Sequence, residues 1–541
     1  MKVSDFILAA LVFLSGWIIF GYFFEEYEPL KAALIQGELS APPYDQWLTN
    51  WNFTFVPALS FLAQKFPTLP VYGIWNLTGI FLIILLLTHL LRKITGNLSL
   101  TFLITVVTCL FIGNNLQNIN NNRIAIFICG LSMVLFFYKR DTALFKKLGI
   151  ILLFLTGALI RVETSPVAVV LASLFMLTQI RSVRSTLRIV YPFVIISGLV
   201  LLFFKTGMDL KDSYGKMIEH KYCHSFKDKF TITPISDMRT AYDSIRYEAY
   251  MNNLYTDTAH ITPSFLDSIL IQDSYREHLF SINNLHSAVQ QVSRLSGRYI
   301  YHLCFIVLVT CITFYICRRR QVFLYSALLL LCGYSILLTI SFLVNIQERV
   351  FSPILCLTLL LIILVNLVEI KASENPGSRY LLFIPALLIL LQPVKDLLSL
   401  RQEYLDLEKA NTALSSELNA YTNEGYKLVI FDSREEIFTV NPAALRNAPY
   451  LANLHPLNLW YYSFHPFAGR RSMQYDQYST INYKSMYAFL TREDHLILIS
   501  TGERLDLFKR YLNIVYHLDI HFAPFTVNGA IQPGRFVVSK P

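Results

Sequence analysis

Charge is scarce in this chain. Of its 541 residues 15% are charged and 54% hydrophobic, against roughly 25% charged in ordinary soluble domains. With a mean hydropathy of +0.45, that excludes a soluble globular enzyme. Paired cysteines are lacking as well. Cys109, Cys129, Cys304, Cys311, Cys317, Cys332 and Cys356 lie in or at the ends of apolar runs, and only Cys223 falls in a large polar loop. This excludes a disulfide framework and zinc-ligand spacing. A Gly-rich phosphate loop and a nucleophile elbow are absent, which removes the P-loop and hydrolase readings. No internal repeat or low-complexity segment is evident.

What charge there is has a pattern. The net charge is +9, and its basic residues gather in short links between apolar runs. These are Arg92 and Lys93; Lys139, Arg140, Lys146 and Lys147; Arg181, Arg184 and Arg188; and Arg318, Arg319 and Arg320, with Asp141 the one acid among them. This is the positive-inside distribution of a polytopic membrane protein, not a nucleic-acid surface. The apolar runs predict about eleven transmembrane helices, near 4–24, 70–91, 98–113, 123–138, 148–162, 164–180, 189–205, 299–317, 322–344, 350–368 and 379–394. Each is long enough, or nearly so, to cross roughly 30 Å of hydrocarbon at about 1.5 Å per residue. A hairpin turning near Arg161-Val162-Glu163 keeps both flanking basic clusters inside. The first apolar run has no small-residue cleavage site and reads as a retained helix. The N-terminus is then cytoplasmic and the C-terminus outside.

Residues 1–394 thus form a helical membrane domain with extracytoplasmic loops at 25–69 and 206–298. Trp51 to Phe66 reads as a helix lying in the interface, and Asp237 to Leu254 as a helix in the second loop. Residues 395–541 read as an extracytoplasmic α/β domain. Its expected elements are a charged helix from Leu397 to Tyr421, strands at Lys427 to Asp432 and His495 to Ser500, a helix from Arg504 to Val515, and strands near 516–522 and 534–539. Trp460, Tyr461, Tyr462 and His465 either stack on sugar rings or pack as ordinary aromatics.

Several residues are placed to do chemistry at a membrane face. Glu25 and Glu26 follow the first apolar run. Two like charges side by side, partly desolvated, tune one carboxyl toward a base working near neutrality, and the same pair suits a divalent cation. The bland alternative is an acidic pair solvated at a helix end. Asp45, between Tyr44 and Trp47, is a second candidate base or a helix N-cap; Glu38 is a supporting acid. For an anionic leaving group, Arg161 interrupts an apolar stretch two residues before Glu163, at a depth where charge lines a cavity or meets a partner. Its forked donors suit phosphate, or it simply pairs with Glu163. Arg349 and Arg123 are expected at the same level, as phosphate ligands or as interface anchors.

The arrangement resembles the GT-C superfamily of membrane glycosyltransferases. The residues that carry the likeness are Phe-Phe-Glu25-Glu26-Tyr, then Gln36-Gly37-Glu38, then Phe66-Pro67-Thr-Leu-Pro70-Val-Tyr72. Gly157-Ala-Leu-Ile-Arg161-Val-Glu163 is similar to a Gly-…-Arg-Pro-Glu segment of such enzymes, with Val162 in place of Pro, and Gln347 to Pro353 to a late Arg-…-Pro element. The pair here is Glu-Glu where Asp is commoner. The likeness covers residues 1–370. It implies an inverting transferase of a bacterial cytoplasmic membrane, with a polyprenyl-phosphate-linked sugar as donor and a lipid, glycan or protein as acceptor. Glu25, Glu26 and Asp45 would be catalytic, Arg161, Arg349 and Arg123 would hold the donor phosphate, and Glu163 and Glu38 would support them. The alternatives are a flippase of lipid-linked saccharides and a noncatalytic envelope assembly protein. A flippase would show mid-span charges and repeat symmetry, and neither is visible.

Overall fold

The computed structural model describes residues 2–24, 35, 55–139, 144–180, 182–209, 240–252, 260–261, 265, 281–343, 346–371, 391–430, 442, 454–456 and 483–539. The chain starts with α1 (Val3–Ile19), β1 (Phe23–Phe24), α2 (Phe55–Lys65), α3 (Val71–Thr95), α4 (Leu98–Phe111), the short α5 (Gly113–Gln117), β2 (Asn118–Ile119) and α6 (Asn121–Tyr138). There follow α7 (Leu144–Ile160), α8 (Thr164–Ile180), α9 (Val183–Asp209), α10 (Ala241–Met251), α11 (Ile282–Gly297), α12 (Ile300–Cys317), α13 (Gln321–Leu343) and α14 (Glu348–Lys371). The remainder is α15 (Leu391–Asn423), β3 (Lys427–Ile430), β4 (Leu454–Pro456), α16 (Tyr483–Arg492), β5 (Leu496–Ile499), α17 (Gly502–Tyr516), β6 (His521–Val527) and β7 (Ala530–Ser539).

Six of these helices are long and apolar enough to cross a bilayer: α3, α6, α9 over Val183–Phe203, α12, α13 and α14. Shorter apolar helices α1, α4 and α8 accompany them. Burial sorts the six into two layers. In the most apolar stretches of α14, α6 and α3, 89%, 83% and 67% of residues are buried, against 28% in α9, α12 and α13. The first three form the centre of the bundle, and the last three turn apolar faces such as Leu199, Val307 and Leu331 outward. Outward apolar surface on that scale needs lipid around it.

The helix breaks where the hairpin is expected to turn: α7 ends at Ile160 and α8 starts at Thr164. Close packing there depends on a missing side chain. A Cβ added at Gly157 would stand 2.7 Å from Cys129 Sγ and 3.1 Å from the Ala125 carbonyl oxygen on α6. Small residues let membrane helices approach to backbone contact in this way. The expected span at 379–394 falls mostly outside the described residues.

The first helix is shorter than its apolar run. It stops at Ile19, Gly21 takes φ +76°, and the chain runs on as β1. Only glycine enters that left-handed region without a steric cost. β1 pairs in parallel with β2, Phe23 with Asn118 and Phe24 with Ile119. Phe24 also stacks on Tyr72 at 5.5 Å. Glu25 and Glu26 therefore follow a short strand, not a helix end.

The C-terminal sheet has the order β4-β3-β5-β7-β6. β3 is parallel to β4 and β5, and β7 is antiparallel to β5 and β6. Its core of Val429, Leu498, Leu505, Phe508 and Leu512 also takes in Ile245 and Ala249 of α10. Arg510 grips Glu248 with two bonds, 2.9 and 2.6 Å. The helix from the second polar loop and the C-terminal domain therefore share one core. α15 runs unbroken through the expected boundary at 394/395 and reaches the sheet through a two-pronged Arg535–Glu417 pair, both contacts 3.2 Å.

Candidate functional site

At one end of the bundle the central helices meet in a polar junction. α5, β2 and the start of α6 supply a run of amides, Asn114 to Asn122, whose side chains must find partners because most are buried. Asn115 accepts from Ser352 on α14 at 2.9 Å and donates to Cys356 Sγ at 3.1 Å. Gln117 donates to the Phe20 carbonyl at 2.8 Å and to the Leu397 carbonyl at 3.1 Å, tying α1 to α15.

Arg123 sits inside this junction and is 1% exposed. Its Nη1 donates to the Asn114 carbonyl at 2.9 Å and to the Asn118 carbonyl at 3.4 Å. The Asn114 carbonyl also accepts the Asn118 N–H that caps α5, and the guanidinium adds a second, charged donor to it while reaching the Asn118 carbonyl of β2. Arg349 lies in the first turn of α14, partly exposed, one residue after Glu348. Arg161 stands on the α7–α8 turn, and its Nε contacts Glu163 Oε2 at 3.0 Å. The sequence-predicted Arg161 and Glu163 are thus brought together, and both are partly open to solvent. Glu25, Glu26, Glu38 and Asp45 lie outside the described residues, as do Trp460, Tyr461, Tyr462 and His465.

Two cavities flank the junction. One is an apolar groove of about 230 Å³ between α1, α4, α5 and α15, walled by Val12, Tyr22, Phe102, Val106, Leu116 and Val394. The other, of about 320 Å³, carries Arg298, Tyr299, His302, Glu348, Asp396 and Glu403 among apolar wall residues. Leu110 and Leu397 wall both, and Gly113 of the groove precedes Asn114 of the pocket. The two spaces adjoin along α4, α5 and α15. A Cβ on Gly113 would lie 2.6 Å from a Leu397 methyl, so the glycine lets α15 lie directly over α5. Spacing along α15 then sorts its side chains. Val394 faces the groove, Pro393, Asp396 and Leu400 face the pocket, and Leu397 borders both, as residues three and four apart on a helix share a side.

The pocket is acidic. Glu348, Asp396 and Glu403 line it, with Arg298 as the cation among its lining residues. Glu348 is already engaged: Arg298 donates to its Oε2, and the Tyr299 hydroxyl donates to its Oε1 at 3.2 Å. His302 donates from Nε2 to the Phe111 carbonyl at 2.9 Å. That bond fixes the neutral tautomer and leaves Nδ1 as an acceptor, an atom buried and without a hydrogen bond among the described residues. The exposed carboxylates of Asp396 and Glu403 are suited to hydroxyl groups, which donate to them, while Tyr299 and His302 Nδ1 lie buried behind the wall. No group of three His, Cys, Asp or Glu that could hold a metal ion occurs among the described residues.

Sequence reasoning did not find Arg298, Tyr299, His302, Asp396 or Glu403, and named Arg349 but not its neighbour Glu348. A signal existed: Arg298, Glu348 and Asp396 each stand at an end of an apolar run, and the expected topology puts those ends on one side, at one height. No family model, curated protein or solved structure matches the chain.

Proposed function

We propose that this chain is a membrane glycosyltransferase that moves a sugar from a polyprenyl-phosphate donor to a lipid, glycan or protein acceptor on the outer face of a bacterial cytoplasmic membrane. One observation supports the reading: an apolar groove adjoins a pocket lined by acidic side chains along a common wall. A ligand filling both is an apolar chain joined to a polyhydroxylated head, and a lipid-linked sugar is such a ligand. The GT-C-like residues supply the chemistry. Glu25 or Glu26 takes the proton from the acceptor hydroxyl, with Asp45 as the alternative base and Glu38 in support. The freed oxygen attacks the anomeric carbon opposite the phosphate. The new C–O bond forms as the bond to phosphate breaks, so the anomeric centre inverts and polyprenyl phosphate leaves. Arg161, held by Glu163, and Arg349 neutralise the leaving phosphate, while Arg123 supports them by fixing the junction. A divalent cation beside the acidic pair would add to that neutralisation.

Incubating the purified chain with a panel of polyprenyl-phosphate sugars, and following donor hydrolysis and transfer without ATP or an ion gradient, tests the reading. Turnover is expected, and Glu25→Gln or Glu26→Gln should lower it about 10²-fold or more while donor binding survives. If both variants keep near-normal rates, Asp45 takes the role of base. Failure of every donor to bind removes the proposal.

A further inference from the structure

α11 is apolar on more than the side it packs with. Ala288, Val292 and Leu295 are buried, as the stripe of a helix facing its neighbours should be. Ile282, Leu285 and Val289, spaced three and four apart along the next edge, are 84%, 52% and 46% exposed. Ser296 falls on the same edge and returns its hydroxyl to the Val292 carbonyl at 2.7 Å, placing its donor within the helix. Asn283, His286, Gln290 and Arg294 occupy the far side and are exposed as well. Across the buried stripe the other flank is polar: Gln291 donates to the Ile346 carbonyl at 3.0 Å. The helix thus has one apolar edge more than its packing uses.

The setting of α11 decides what that edge meets. α12 and α13 are antiparallel: Thr310 donates to Ser326 at 3.4 Å, and the Phe314 and Phe323 rings lie 5.0 Å apart. That register sets Ile300, at the start of α12, level with about Leu337 on α13. At about 1.5 Å per residue, a straight continuation of α12 would carry Asn284 about 24 Å past Ile300, whereas Phe342 stands only about 8 Å past it. Yet Asn284 donates to the Phe342 carbonyl at 3.1 Å, and Ser341 donates to Gln291 Oε1 at 2.8 Å. α11 therefore lies across the end of α13 instead of projecting beyond α12, and from Asn284 to Gln291 it keeps one level. Because α12 and α13 are each long and apolar enough to cross a bilayer, that level is a membrane face. Ile300, Tyr301 and Leu343 are exposed there too.

We infer that α11 is an interfacial helix and that the occupant of its exposed edge is the bilayer itself. Ile282, Leu285 and Val289 reach the acyl chains, while Asn283, His286, Gln290 and Arg294 meet headgroups and water. Helices of this pattern sit about 5–10 Å into the headgroup–acyl boundary. A second copy of the chain is the less apt occupant, since three side chains on one edge offer far less than the roughly 1,200–2,000 Å² of a stable protein interface. Lipid, by contrast, is already at hand around the apolar faces of α12 and α13. The placement bears on the pocket. α11 ends at Gly297, and Arg298, next in the chain, stands in the pocket wall. A helix seated among headgroups therefore holds that wall at headgroup height, within reach of a molecule whose own head lies in the interface. This inference does not depend on the glycosyltransferase reading.

The experiment places the full chain, freed of native cysteines, in liposomes of phosphatidylcholine and phosphatidylglycerol, with a spin label on one introduced cysteine at a time. Power saturation reads contact with oxygen, which concentrates in hydrocarbon, and with a nickel chelate, which stays in water. Labels at Leu285→Cys and Val289→Cys should favour oxygen over nickel severalfold more than labels at Ser287→Cys and Gln290→Cys. They should fall short of a label at Val307→Cys, which faces outward deeper along α12. Nickel contact at Leu285→Cys and Val289→Cys equal to that at Gln290→Cys overturns the placement. Exclusion of both reagents from those two positions means that protein covers the edge, and overturns the lipid occupant. If the cysteine variants do not fold, a phosphatidylcholine with a photoactivatable group high on its acyl chain should mark residues 282–289 of the unmodified chain in the same liposomes. Labelling of the spans without that segment overturns the inference as well.

Discussion

Replacing Arg123 by Met separates two jobs that a buried arginine can do. The substitution keeps much of the side chain's length and apolar stem while removing the guanidinium. The Asn114 carbonyl then loses a bond of 2.9 Å, which as a charge-assisted hydrogen bond is worth about 1.5–3 kcal/mol. The contact with the Asn118 carbonyl, at 3.4 Å, is stretched and adds about 1 kcal/mol or less. With the side chain 1% exposed, water does not restore either bond, and the expected loss of stability is about 2–4 kcal/mol. Arg123→Lys should recover about half of it, since one ammonium serves one carbonyl well and two poorly. Denaturant unfolding in detergent, followed by circular dichroism, measures both variants, alongside titration with a polyprenyl-phosphate sugar. If Arg123→Met unfolds at the wild-type midpoint yet no longer binds the donor, the carbonyl clamp is refuted and Arg123 belongs among the phosphate ligands.

Three further outcomes are expected. Gly157→Leu should push α7 off α6 and lower stability by about 1–3 kcal/mol, the range for overpacking, whereas Gly149→Leu, with nothing within 4 Å of its new Cβ, should not; thermal unfolding compares them. Arg161→Lys should fold normally but weaken donor use if the guanidinium grips phosphate, because an ammonium cannot make two parallel bonds; unchanged donor kinetics would leave Arg161 as the partner of Glu163, with Arg349 as the phosphate ligand. In a background freed of native cysteines, Glu503→Cys at the exposed start of α17 should react with a membrane-impermeant reagent in intact cells, and Ser185→Cys at the start of α9 only after the cells are opened; the reverse pattern overturns the orientation.

Much of the helical layout is legible in the sequence because lipid imposes it. Apolar runs of fixed length and basic links between them locate α3, α6, α12, α13 and α14 to within a few residues, and Arg161 with Glu163 marks the α7–α8 turn. The strands at Lys427 and Leu496 show through as short apolar blocks between polar segments. The early end of α1 was hidden, because Trp17 to Phe24 is apolar throughout and hydropathy does not register a backbone turn at Gly21. The pocket was hidden for another reason. Arg298, Glu348 and Asp396 come from three separate elements, and nothing in a uniformly apolar helix such as α12 tells which side faces its neighbours. Height was readable from the span ends; azimuth was not. Arg123 reads as a membrane-face anchor in sequence, and only the structure brings the Asn114 and Asn118 carbonyls to it.

The unbroken run of α15 has a mechanical consequence. From Asp396 in the pocket wall to Glu417, where Arg535 of the sheet takes hold, the helix covers about 30 Å at about 1.5 Å per residue. A stiff rod of that length, fastened at one end to the C-terminal sheet and at the other to Gln117 and Asn118, is a lever. Tilting it by about 3° about its sheet end would carry Asp396 about 1.6 Å over that length, enough to make or break a hydrogen bond. A load on the C-terminal sheet is therefore expected to be felt as a change in the width of the pocket.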